Sequence, residues 1–386
     1  MGSWMKVKLT QVCSSISDGD HLPPPKCESG VPFVTISDIK NNRFDLANTR
    51  FVPKAYFDAI DEKRRIRKGD VLYSVVGSYG IPVYADKDLD IAFQRHIAIL
   101  KPGKDVDSRY LYYSLLNPAF YNAADNVAIG AAQKTITLSA LRNLQIPLPP
   151  LPVQRRIADI LSAYDDLIEN NRRRIAILEE AARRIFEAEI VNGNWECVPV
   201  DALVEVNPEV PKPTCDGVRY IPMSALSTSG MTVDLSDSEI RAQSTSIRFL
   251  NGDVLLARIT PCLENGKTAY VNFLADGEIG CGSSEFIVLR GKRVSSYFTY
   301  CLARLDAFRG IAIKSMIGAS GRQRVQLSCF SDFQIQVPDD ATLRHFDATV
   351  APMFDQIGVL SKQSTTLAAA RDMLLPRLMD NNKKED

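Results

Sequence analysis

One plan is written twice along this chain, and that repeat constrains the fold more than any bulk property does. Its landmarks recur in the same order. Trp4 answers Trp195, and Val31-Pro-Phe-Val-Thr-Ile-Ser-Asp-Ile39 answers Val218-Arg-Tyr-Ile-Pro-Met-Ser-Ala-Leu226. Lys68-Gly-Asp-Val-Leu72 answers Asn251-Gly-Asp-Val-Leu255, Arg109-Tyr110 answers Ser296-Tyr297, and Ile129-Gly-Ala131 answers Ile317-Gly-Ala319. From Ile146, which pairs with Ile335, the offset holds at 189 and also joins Asp166 to Asp355 and Leu178 to Leu367. A two-copy chain predicts a pseudo-two-fold device that engages something itself two-part, with DNA the leading candidate.

The 386 residues, 45% hydrophobic and 24% charged, suffice for two cores. No apolar run reaches the ~18 residues of a membrane span, and no charged-then-apolar leader opens the chain. The expectation is therefore a cytoplasmic protein without a membrane partner. Cys13, Cys27, Cys197, Cys215, Cys262, Cys281, Cys301 and Cys329 form no C-x-x-C pair, which predicts free thiols in a reducing compartment. The 46 basic and 46 acidic residues cancel. Neutrality counts against a stand-alone nucleic-acid binder, but a subunit whose partners supply phosphate contacts needs no basic excess.

The predicted fold is α+β. Apolar runs such as Phe33–Ile36, Asp70–Val76, Ile97–Leu100 and Val254–Leu256, punctuated by Gly-Asp and Pro turns, read as strands. Asp107–Leu116 and Ser295–Leu302 read as helices, and Leu144–Pro147 and Phe333–Val337 as exit strands. Two long helices follow. In the first, Leu161, Tyr164, Ile168, Asn171, Ile175, Leu178, Ala182 and Ile185 recur at spacings of three and four, a coiled-coil seam. In the second, the same slots hold Val350, Met353, Ile357, Leu360, Ser364, Leu367, Arg371 and Leu374. Pro147, Pro149, Pro150 and Pro152 set the start of the first, and Asn192-Gly193 its end. About 38 helical residues reach ~57 Å, too long for the face of one small domain. Chain tracing then makes the pair antiparallel, with Asn171 expected near Ser364 or Arg371. Asp165-Asp166 and Glu179-Glu180 are expected on a solvated or partner-facing surface of that helix.

The run Ile146-Pro-Leu-Pro-Pro-Leu-Pro-Val-Gln-Arg-Arg-Ile-Ala-Asp-Ile-Leu161, continued by Asp165-Asp-Leu-Ile-Glu-Asn-Asn-Arg-Arg-Arg-Ile-Ala-Ile-Leu-Glu-Glu180, closely resembles the first central region of type I restriction–modification specificity subunits. Gly130-Ala-Ala-Gln-Lys-Thr-Ile136 is similar to the loop that precedes the exit strand in these proteins, and the resemblance covers the whole chain. Asp339-Asp-Ala-Thr-Leu-Arg-His345 departs from it, replacing the proline–glutamine lead-in of the second helix. The resemblance implies two α/β target recognition domains in tandem: 1–150 and 194–338. They are separated and joined by a central helical region at 151–193 and a C-terminal one at 339–386. It also implies a non-catalytic DNA reader, each domain taking one half of a bipartite duplex site. The helices would act as spacer and docking surface for two methyltransferase (M) subunits and then motor–nuclease (R) subunits. S-adenosylmethionine, ATP and magnesium would belong to those partners.

The motifs of catalysis are not written here. Asn117-Pro-Ala-Phe120 lacks the glycine-rich cofactor loop an amino-methyltransferase needs and reads as a helix stop. There is no P-loop, and His21, His96 and His345 lie far apart without metal-ligand spacing. Base reading calls instead for Arg, Gln, Asn, Ser and Thr on loops, with Lys and Arg for phosphate. The matched loops Gln133-Lys134-Thr135 and Arg322-Gln323-Arg324 are the first candidates. Ser78 and Tyr79 against Arg258 and Thr260, and Gln94-Arg95 against Ser283-Ser284, are the next. Arg64 and Arg65, in the most basic stretch of the chain, are candidate phosphate contacts. The rival reading is a coiled-coil scaffold carrying two ligand-binding modules with no role on DNA.

Overall fold

A computed structural model describes residues 4–380 apart from 47–48, 132, 214–216, 243–245 and 320. Cys215 and Ala132, both drawn into the reading above, lie outside the described residues. The chain divides into two compact units, Met1–Leu167 with Thr366–Asp386, and Ile168–Thr365. Each draws on one part of either long helix.

In unit 1 an antiparallel sheet runs in the order Cys13–Asp18, Ile97–Pro102, Val71–Ser74, Pro82–Tyr84. In unit 2 the same order is Val204–Val206, Phe286–Gly291, Val254–Ala257, Thr268–Tyr270. The inner strands are buried on both faces, so their runs are continuously apolar instead of alternating. Side chains of successive residues point to opposite faces, and here each face has its own core. Val71, Tyr73, Ala98 and Leu100 pack with Tyr110 and Leu111 of the helix Ser108–Leu116, while Leu72, Ile97 and Ile99 turn to Val34 and Phe93. Unit 2 repeats the split, Val254, Leu256, Ile287 and Leu289 on one side and Leu255, Phe286 and Val288 on the other.

The second core is closed by a smaller sheet, Arg50–Val52, Val31–Val34, Ala92–Phe93 in unit 1 and Glu239–Arg241, Val218–Ile221, Gly280–Gly282, Ile247–Phe249 in unit 2. The exit strands Gln145–Pro147 and Gln334–Val337 pair with Lys6–Lys8 and Glu196–Pro199, stitching the end of each unit to its beginning. The Gly-Asp landmarks have a shared cause. Gly69 and Gly252 take φ of +92° and +88°, a region that favours glycine. Asp70 and Asp253 then accept from the amides of Arg67 and Leu250, both at 2.8 Å, and pair with Lys101 and Arg290.

The central helix spans Leu151–Phe186 and runs on as a π-turn, Glu187–Val191, to Asn192. Its start is clamped by Gln154, which is 1% exposed. The Gln154 amide donates to the carbonyls of Pro149 and Asp105 and accepts from the amide of Asp107, itself the N-cap of Ser108–Leu116. The C-terminal helix spans Asp340–Met379. In unit 2 Phe186, at the end of the first, stacks edge-on against Phe346, near the start of the second. In unit 1 Asp165, nearer the start of the first, pairs with Arg371, late in the second. The two helices therefore run antiparallel, and every seam residue named above is buried or half-buried. Arg371 goes to Asp165, not to Asn171.

Two expectations about acidic residues need correction. Glu179 is 4% exposed, accepting from the Tyr300 hydroxyl at 2.5 Å and the Met231 amide at 2.9 Å. Asp165 is half-buried and accepts from the Tyr113 hydroxyl at 2.6 Å as well as from Arg371. Both stand on the side of the helix that packs on its own unit. Asp166 and Glu180 do lie on the surface. Among the described residues no helix is long and apolar enough to cross a membrane, and the seven described cysteines are free.

Candidate nucleic-acid interface

In both units three separate stretches meet where the strand Val71–Ser74, or Val254–Ala257, runs out into a loop. In unit 1 the Val75 amide donates to His96 O at 2.8 Å, the Ile136 amide to Val75 O at 2.8 Å, and the Gly77 amide to Lys134 O at 3.2 Å. In unit 2 Arg258 donates to Glu285 O at 2.8 Å, Val325 to Arg258 O at 3.0 Å, and Thr260 to Gln323 O at 3.0 Å. Equivalent positions thus make equivalent bonds. These bonds gather Ser78, Tyr79, Gln94, Arg95, Gln133, Lys134 and Thr135 into one cluster. Their counterparts Arg258, Thr260, Ser283, Ser284, Arg322, Gln323 and Arg324 form the other.

The third stretch is a closed loop in each unit. Ile129 and Thr135 exchange amide–carbonyl bonds of 2.9 and 2.8 Å, and Ile317 and Arg324 exchange bonds of 3.0 and 2.9 Å. Gly130 and Gly318 open these loops at φ of +107° and +139°. A Cβ on Gly130 would sit 2.5 Å from the Gln133 carbonyl oxygen, and one on Gly318 2.9 Å from that of Arg322. Both contacts are too close, so the Gly-Ala landmark marks a turn only glycine can make. The side chains it presents are exposed at Gln133, Lys134, Arg322 and Arg324 and half-buried at Thr135 and Gln323. Ser78 and Arg95 are exposed beside them.

Arg64 and Arg65 are engaged within unit 1. Arg64 donates to the Asp18 carbonyl at 2.9 Å and pairs with Asp20 at 2.8 Å, and the Asp20 carbonyl in turn accepts from the Arg95 amide. It therefore braces the corner on which Gln94-Arg95 sits. Arg65 donates to the carbonyls of Ile60, Phe57 and Asp58 and lies over the Phe57 ring. Its guanidinium closes a turn and is not presented as a free phosphate contact.

The sequence reading missed three members of these clusters: Tyr121, Asp125 and Glu285. On the helix Pro118–Val127, Tyr121 stacks on Tyr79 with ring centroids 5.9 Å apart, and Asp125 accepts from both Lys134, at 2.6 Å, and the Tyr79 hydroxyl. The i, i+4 spacing of Tyr121 and Asp125 put them on one helix face and was the available signal. In unit 2 Glu285 takes both forks of Arg324, at 2.6 and 3.0 Å. Hydrogen bonds from Lys134 and from Arg324 hold Asp125 and Glu285 below the usual carboxylate range and raise their cationic partners. Burial, and then the neighbouring Arg95 charge, hold His96 below the usual imidazole value. Asn117 ends one helix and caps the next, its side chain accepting from the Ala119 amide at 2.9 Å. Among the described residues no group of three or more His, Cys, Asp or Glu gathers as a metal site.

Residues 1–180 match the family model of the type I restriction modification DNA specificity domain. A putative type I restriction enzyme MjaX specificity subunit of Methanocaldococcus jannaschii is 28% identical over 199 residues, covering 50% of this chain and 47% of that protein. The MjaIX specificity subunit of the same organism is 23% identical over 381 residues, covering 90% and 86%. The chain is thus similar to type I restriction–modification specificity subunits, by the family model over residues 1–180 and by sequence over most of its length. It spans about half the length of the first relative and most of the second. The type I restriction enzyme EcoEI specificity subunit of Escherichia coli is 26% identical over 193 residues, covering 48% of this chain and 32% of that one. A crystal structure of the S subunit of a type I restriction-modification system from M. genitalium shares the specificity-subunit fold, with a TM-score of 0.54 over 99% of this chain and 97% of that one at 16% identity.

Proposed function

We propose that this chain is a specificity subunit, a non-catalytic reader of double-stranded DNA in which each unit takes one half of a bipartite site. The reading rests on one observation above all: in both units the same three stretches converge on one corner, and the side chains there differ between the two. Gln133, Lys134, Ser78, Tyr79, Gln94 and Arg95 would face one half-site, and Arg322, Gln323, Arg324, Arg258 and Thr260 the other. Arg forks suit guanine edges and Gln or Asn amides suit adenine, so unlike loops should read unlike bases. Residues 1–150 and 194–338 act as target recognition domains. The helical regions 151–193 and 339–386 act as spacer and as docking surface for two methyltransferase subunits, with motor–nuclease subunits added to them. S-adenosylmethionine, ATP and magnesium are held by those partners, in the cytoplasm.

The experiment is a swap. Replacing residues 1–150 by the equivalent unit of a relative, followed by mapping of methylated bases in the host genome, should change one half of the modified motif. A change in both halves overturns the modular reading.

A further inference from the structure

The cations of the two reading loops are not idle in the free chain. Lys134 donates to Asp125, and Arg324 donates through both forks to Glu285. The two carboxylates do not occupy matching places in the repeat. Asp125 stands on the helix Pro118–Val127, where the second copy has Lys314, while Glu285 stands where the first copy has His96. Nor do the cations match, since Lys134 answers Gln323 and Arg324 answers Thr135. Two unrelated pairs of positions have thus arrived at one arrangement at the same corner of each unit. An exposed ion pair adds little to stability, and these lie on the surface, with Lys134 and Arg324 side chains 48% and 45% exposed. Their place beside the reading loops therefore calls for another role.

We infer that Asp125 and Glu285 are specificity-determining residues: intramolecular stand-ins for DNA, which hold the loop cations until the duplex offers an acceptor good enough to replace a carboxylate. This rests on the DNA-reading function proposed above. A guanine edge presents O6 and N7 to an Arg fork much as the two oxygens of Glu285 do. A correct base therefore exchanges with Glu285 at little loss of hydrogen bonding. A lone phosphate gives the fork a less directed partner and also brings its charge up against the freed carboxylate. Non-specific binding, which rests on phosphate neutralisation, is penalised more than specific binding. The Lys134 ammonium, held by Asp125 and 6.0 Å from the Tyr79 ring centroid, follows the same logic with a single donor. The zero net charge of the chain fits a reader that keeps its loop cations neutralised.

The test uses the full chain and a duplex of random sequence, titrated with salt. Asp125→Asn and Glu285→Gln should each bind that duplex roughly three- to tenfold tighter at low salt, with the slope of log K against log salt steeper by about 0.9 per released cation. Preference for the methylated site over random duplex should fall by the same factor. Removing the cation along with its carboxylate, as in Asp125→Asn with Lys134→Gln, should abolish the gain, which separates release of a cation from mere loss of negative charge. Variants with wild-type affinity and slope, on a wild-type chain that does bind DNA with salt dependence, overturn this inference and leave the reading function standing. A gain that survives loss of the cation overturns it as well. A wild-type chain without salt-dependent affinity for any duplex, alone or with its methyltransferase, overturns the reading function itself.

Discussion

Tyr113 and Tyr300 stand on the matching helices Ser108–Leu116 and Ser296–Arg304, one position apart when counted from the helix starts, and their hydroxyls reach different carboxylates of the central helix. In unit 1 Tyr113 donates to Asp165, which also takes Arg371. In unit 2 the place of Asp165 is held by Phe354, which packs on Tyr270, Tyr297 and Tyr300, and Ala182 stands where Arg371 would. Tyr300 turns instead to Glu179, with Arg304 3.9 Å away. The backbone plan is shared to the level of individual hydrogen bonds, while the polar wiring behind it has been laid out anew. Buried polar groups must be satisfied, but nothing requires that the same partner satisfy them. The loops opened by Gly130 and Gly318 show the same freedom.

The largest effect should come from the more buried of these networks. Glu179→Ala leaves the Tyr300 hydroxyl and the Met231 amide without their acceptor beside a buried guanidinium, and should cost unit 2 about 3–5 kcal/mol. The two tryptophans, Trp4 and Trp195, fall one in each unit. Urea unfolding followed through Trp195 in a Trp4→Phe background should record the loss, and Trp4 in a Trp195→Phe background should record none. Asp165→Asn should give the mirror image at roughly 1–3 kcal/mol, because its site is more open. Equal shifts at both tryptophans would dissolve the distinction between the two networks.

A smaller effect is expected at the loops. Gln133→Ala with Lys134→Ala should relax one half-site by roughly 1–3 kcal/mol of discrimination and leave the other untouched. Methylation profiling of the assembled enzyme reads it, and an unchanged motif would mean that this loop is not a reader. Smallest is the pH response of the loop pairs. Asp125 and Glu285 have depressed values in the folded chain, so their pairing is complete above the ordinary carboxylate range and is lost only as pH falls through the depressed values. Carbon shifts of the two carboxyls should be flat from about pH 8 to 6, and midpoints at ordinary carboxylate values would count against the pairs.

The repeat, the long helices, the Gly-Asp turns and the Gly-Ala loops were legible in the sequence because each rests on local spacing or on one backbone conformation. Gln154 was visible as part of a motif, though not as the clamp that ties a helix start to a neighbouring cap. Glu179 and Asp165 were misread as surface groups because an acidic residue on a long charged helix carries no local sign of which face it occupies. Asp125 and Glu285 passed unnoticed for a related reason. A repeat makes matched positions visible, and these carboxylates have no acidic counterpart in the other copy.

The linear chain therefore carries the architecture: two copies of one α+β plan, with heptad helices after each. Periodicity and glycine sterics act within a few residues, and a duplicated chain reports them twice. The partner of each polar side chain, by contrast, is settled in three dimensions. Glu179 meets Tyr300 across 121 residues and Arg324 meets Glu285 across 39. Such pairs form because burial or a crowded corner leaves a donor with few acceptors in reach, a condition set in three dimensions and written nowhere along the chain.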